Sequence, residues 1–61
     1  MNKQLRELKS RKAALIDQAS ALNAAAAAAN RDLSDTELAQ FEQLKAQIEE
    51  TNRKIEAQQF L

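Results

Sequence analysis

Sixty-one residues, nine Lys or Arg against nine Asp or Glu, and no Gly, Pro, Cys, His, Trp or Tyr leave room for one small domain. Without Cys and His, the usual zinc, haem and iron–sulfur ligand sets and the common nucleophile–base pairs cannot be assembled. Without Gly, neither can a P-loop or a dinucleotide-binding turn, so no enzyme, cofactor or small-molecule substrate is expected.

The first predicted element is a helix over about residues 2–29, because Ala, Leu, Gln, Glu, Lys and Arg dominate and nothing before Asn30 breaks it. Its start, Met1-Asn2-Lys3-Gln4-Leu5-Arg6, holds no apolar run of signal-peptide length. A cytoplasmic location is therefore expected. Leu5, Leu8, Lys12, Leu15, Ala19 and Leu22 alternate spacings of three and four, which is the a/d stripe of a coiled coil with Lys12 as its charged layer. Ile16 lies just off the stripe. The alanines from Ala24 to Ala29 fall far short of the ~20 apolar residues a membrane span needs, so no membrane is expected either. This run either carries the helix to its turn by propensity alone, or bares Ala24 and Ala27 for a close neighbour.

The turn follows at 30–34. Asn30 is suited to the left-handed residue after a helix, a role Gly usually fills. Ser34 with Glu37 three residues on forms a capping box, and Leu33 with Leu38 a hydrophobic staple. Asp35 and Glu37 also suit the positive end of a helix dipole. Asp32, Asp35 and Glu37 are read as caps, since a calcium loop needs more oxygen ligands and a central Gly.

The second helix, about 35–60, repeats the stripe with Phe41, Leu44, Ile48, Thr51, Ile55 and Gln58. Folding back at the turn sets Leu22 against Phe41, Ala19 against Leu44, Leu15 against Ile48, Lys12 against Thr51, and Leu8 against Ile55. The expected fold is all-α: residues 1–61 form a single two-helix antiparallel coiled-coil hairpin. So small a hairpin buries little apolar surface, which points to self-association into a helical bundle or to a larger parent protein. Ile16 and Leu38 either broaden the seam or, with Ala24 and Ala27, form the contact between hairpins.

Residues 1–16 carry five cations against Glu7 alone, and the later acids are expected to lie beside them, Lys9 near Glu56 and Lys12 near Glu49 and Glu50. Adjacent on one helix, Glu49 and Glu50 point different ways and read as a solvated surface rather than an acid–base pair. Phe60 and Leu61 either cap the hairpin beside Met1 and Leu5 or mark a chain that continues.

The opening Met1-Asn2-Lys3-Gln4-Leu5-Arg6-Glu7-Leu8-Lys9, then Arg11-Lys12-Ala13-Ala14-Leu15, and the turn Asn30-Arg31-Asp32-Leu33-Ser34-Asp35-Thr36-Glu37 leading to Phe41-Glu42-Gln43-Leu44-Lys45-Ala46-Gln47-Ile48 carry a resemblance. The chain resembles the N-terminal delta, or scaffolding, domain of the major capsid proteins of tailed bacteriophages and prophages. That resemblance implies a module that lines the immature shell, or prohead, and guides its subunits into hexamers and pentamers. A phage maturation protease then removes it before DNA enters. The implied partners are the chain itself, other capsid subunits and that protease, inside an infected or lysogenic bacterial cell. The alanine run departs from the mixed charges common there, Asn30 stands where Gly is frequent, and nothing of the shell fold is present. Two other roles suit a hairpin of this kind. One is a nucleic-acid-binding arm resembling the coiled-coil arm of seryl-tRNA synthetase, which needs an exposed basic stripe and is less expected. The other is a regulatory hairpin that captures a partner's helix.

Overall fold

The computed structural model describes residues 2–61 and consists of two helices, α1 (Lys3–Ala28) and α2 (Asp35–Phe60), with no strand among the described residues. Each has 26 residues, so each is about 39 Å long at 1.5 Å per residue. They lie antiparallel in a rod of 45 × 16 × 12 Å.

Local chemistry sets both ends of α1. Asn2 is the N-cap, its side-chain oxygen accepting a hydrogen bond from the Leu5 N–H at 3.1 Å. At the other end Asn30 turns left-handed, at φ 54°. The Asn30 N–H donates to the Ala27 carbonyl and the Arg31 N–H to the Ala26 carbonyl, each at 3.0 Å. These two bonds are those of a Schellman motif, and they satisfy carbonyls that the helix itself leaves free. With no Gly in the chain, Asn is the residue best able to hold that conformation.

Capping starts α2. The Ser34 hydroxyl accepts from the Glu37 N–H at 3.2 Å, and the Glu37 carboxylate accepts from the Ser34 N–H at 2.9 Å. Leu33 is half-buried, whereas Leu38 remains 47% exposed.

Burial follows the three–four stripe on both helices. On α1 the shielded positions are Leu5, Leu8, Lys12, Leu15, Ala19, Leu22 and Ala26; on α2 they include Glu37, Phe41, Leu44, Ile48, Thr51, Ile55 and Gln58. Among the described residues only Ala26, Thr51 and Ile55 are buried, at 5%, 4% and 8% exposure. The other seam side chains are half-buried, because each helix has one neighbour and solvent reaches the seam from both sides.

Ala26 was not picked out from the sequence, where Ala24 and Ala27 drew attention instead; both of those are exposed. The stripe explains the difference. Four residues beyond Leu22 lies Ala26, and four before Phe41 lies Glu37, so this pair closes the seam beneath the turn.

The Thr51 hydroxyl donates to the Gln47 carbonyl of its own helix at 2.8 Å. It therefore satisfies itself locally instead of pairing with Lys12, and no buried side-chain polar atom among the described residues lacks a partner. Lys12 is half-buried, at the edge of a surface cleft that it shares with Asn52, Ile55 and Glu56. At the open end, opposite the turn, the Asn2 side-chain amide donates to Gln58 Oε1 at 3.0 Å and ties the two helices together.

Candidate interaction surface

The clefts among the described residues are open to solvent, so the surfaces to consider are the turn, the two flanks and the two ends. The turn carries a cluster of polar side chains joined by hydrogen bonds. Arg31 reaches over it to form a bidentate pair with Glu37, its second guanidinium nitrogen lying 3.2 Å from the carboxylate, and it also donates to the Asp32 carbonyl at 3.1 Å. Sequence reading found the capping box but not this pair. The signal was an Arg six residues before the capping Glu, on the opposite side of a tight turn.

Hydrogen bonds from Arg31 first, then from the Ser34 N–H and hydroxyl, hold the Glu37 carboxyl down to about 2, against the desolvation that would raise it. A carboxyl lowered in the folded state from 4.5 adds stability that is fully present above pH 4.5 and is lost as pH falls through about 2. Glu37→Gln keeps the capping geometry and removes the charge. In thermal melts followed by circular dichroism, the native chain is expected to melt higher than this variant above pH 5, with the gap closing toward pH 2. A gap independent of pH would show that the ion pair does not support the turn. Among the described residues no group of acids is placed to hold a metal ion, and Asp32 and Asp35 are both exposed.

The two flanks differ. On an antiparallel pair, positions just after the second residue of each three-step lie on one side of the seam, and those just before the first lie on the other. One flank carries Gln4, Arg11, Gln18, Gln40, Gln47 and Lys54, residues that line the shallow clefts on that side. The other carries Lys9, Ile16, Asn23, Leu38, Lys45 and Asn52. Ile16 and Leu38, exposed to 42% and 47%, therefore share one flank, and the opposite flank presents no side chain as large and apolar.

None of these positions directly beside the seam carries an acid, and this corrects the expected ion pairs. Among the described residues the pairs are Lys3–Glu7 at 4.0 Å, Lys54–Glu50 at 3.4 Å and Arg31–Glu37, and none joins the body of α1 to that of α2. Lys9 and Glu56 border the same cleft without pairing. With the acids on outward positions, partners one turn away on the same helix are closer at hand.

The expected cancellation of the basic start is corrected too. Lying beside residues 3–12 is the last part of α2, with Arg53, Lys54 and Glu56; of the more acidic part, Glu50 reaches it, lining a cleft with Arg11 and Lys54. The open end thus gathers Lys3, Arg6, Lys9, Arg11 and Lys12 from α1 and Arg53 and Lys54 from α2, against Glu7 and Glu56 alone. Residues 13–50 hold the reverse: Asp17, Asp32, Asp35, Glu37, Glu42, Glu49 and Glu50 against Arg31 and Lys45. The rod is a charge dipole.

Phe60 and Leu61 are 91% and 93% exposed and cover nothing on the hairpin; Met1, their other expected neighbour, lies outside the described residues. No helix among the described residues is long and apolar enough to cross a membrane. Comparison of the chain with protein-family models, with curated proteins and with solved structures gives no match.

Proposed function

We propose that this chain is a non-enzymatic assembly module that acts through helix–helix contacts. The observation that carries this reading is the flank bearing Ile16 and Leu38, two large apolar side chains left in solvent on one side of a hairpin whose own seam is only half shielded. A second helical layer on that flank would shield both the side chains and the seam edge, as in a four-helix bundle. The delta-domain resemblance supplies a setting: capsid subunits brought into register inside an immature shell in a bacterial cytoplasm, with the hairpin then removed by proteolysis. A module of this kind gains stability from the local concentration of its partners and loses it on release.

Static light scattering and sedimentation over a dilution series test the reading. Oligomers that dissociate on dilution are expected, with Ile16→Glu and Leu38→Glu each shifting the balance to monomer while helicity persists. A native chain that remains monomeric up to millimolar concentration would remove the proposal.

A further inference from the structure

Resting on the assembly reading, we propose that the basic open end of one hairpin seats against the acidic segment of a second copy of this chain, so that copies pair with unlike poles together. The two poles are equal in excess charge and opposite in sign, and among the described residues the Lys54–Glu50 pair, where they meet, is the one ion pair that joins them. Pairing of like ends would set cations on cations and acids on acids.

The acidic segment is also built to receive long cationic side chains. Leu38 has Asp35 three residues before it and Glu42 four after it, so both acids border the same helical face as the exposed leucine. Glu49 continues that column one heptad on, with Lys45 on the flank between it and Glu42. Ile16 lies on the same flank of α1 and within the same acidic segment. Lys and Arg cover apolar surface with their methylene stems and place their charge at the rim. Arg6 and Lys9 of a second copy can thus shield Leu38 while their charged groups meet Asp35 and Glu42, with Glu49 adding to the negative field of the segment. Screening limits such attraction to about 8 Å at physiological ionic strength, so the rods must overlap along their sides. Charge then selects which ends meet.

Two exposed double variants test this: Arg6→Glu with Lys9→Glu at the basic pole, and Glu42→Lys with Glu49→Lys at the acidic pole. Among the described residues none of these four takes part in an ion pair, and circular dichroism of each variant verifies that it is folded. By sedimentation the native chain is expected to associate in low salt, with a dissociation constant at least roughly tenfold higher near 1 M salt. Each double variant alone is expected to remain monomeric. Their equimolar mixture is expected to form mixed dimers, since one supplies an intact basic pole and the other an intact acidic one. A mixture that stays monomeric, or a double variant that associates alone as well as the native chain, overturns pole pairing. A native chain that does not self-associate but binds single-stranded DNA in a salt-dependent way assigns the basic pole to a polyanion instead. Self-association indifferent to salt and to both variants removes this inference and leaves the assembly reading standing, whereas a strictly monomeric native chain removes both.

Discussion

Replacing Ile55 by Asp is expected to abolish the hairpin at room temperature. Among the described residues Ile55 is the one large apolar side chain that is buried, at 8% exposure. Removing it forfeits its burial, and the new carboxylate gives up hydration in the seam, a cost that Lys9 and Lys12 at the rim of the same cleft offset only in part. Truncation of a buried Ile to Ala alone costs about 2–5 kcal/mol, and desolvating the charged group adds to that. A two-helix hairpin has little in reserve, since most of its seam remains half in water. Far-ultraviolet circular dichroism should show the loss of most helical signal. Phe60→Ala and Leu61→Ala serve as controls: both side chains are more than nine-tenths exposed, and changes within about 0.5 kcal/mol are expected. An Ile55→Asp chain that melts like the native one would mean that the helices do not pack along this seam.

The second large effect is expected at Ala26. Glu at this position must place a carboxylate in a site only 5% exposed, facing the level of Glu37 beneath the turn. Crowding and like charge act together there, and a loss of about 2–3 kcal/mol is expected. Ala24→Glu and Ala27→Glu change exposed positions and are expected to stay within about 0.5 kcal/mol of the native chain. Urea unfolding of the three variants compares them directly. Equal losses at all three would show that the alanine run acts only through helix propensity.

This contrast shows where the sequence was legible. Leu8, Leu15 and Leu22 stand out against polar neighbours, so their spacing alone placed them on the seam, and the same held for Phe41, Leu44, Ile48 and Ile55. In the alanine run every position carries the same side chain, so hydrophobic contrast vanishes and only the continued spacing from Leu22 singles out Ala26. The turn was readable for a different reason. Asn30, Ser34 and Glu37 each satisfy backbone groups within four residues of themselves, and local chemistry of that kind leaves its pattern in the sequence.

Charge was read less well, because it depends on which parts of two helices lie abreast. Counting the acids of the whole second half hid the fact that Glu56 is the only one after Glu50. Antiparallel folding sets the sequence start beside Arg53 and Lys54, not beside Glu42 or Glu49. Lys12 and Thr51 teach a related lesson. Both belong to the seam stripe, but a threonine on a helix can bond the carbonyl four residues back, and Thr51 takes that nearer partner.

The hydrogen bond between Asn2 and Gln58 joins residues 56 apart in sequence, at the far end of a rod that begins from a six-residue reversal between Ala28 and Asp35. Closing that short loop costs far less entropy than joining the two distal ends directly. The hairpin is therefore expected to zip from its bend outward and to part in the opposite order, which hydrogen exchange would register as amide protons near Lys3 and Phe60 exchanging before those flanking Ser34. The first stretch to separate is the one that holds the cationic cluster, so a proteolytic enzyme that samples frayed backbone would reach that end while the bend is still intact.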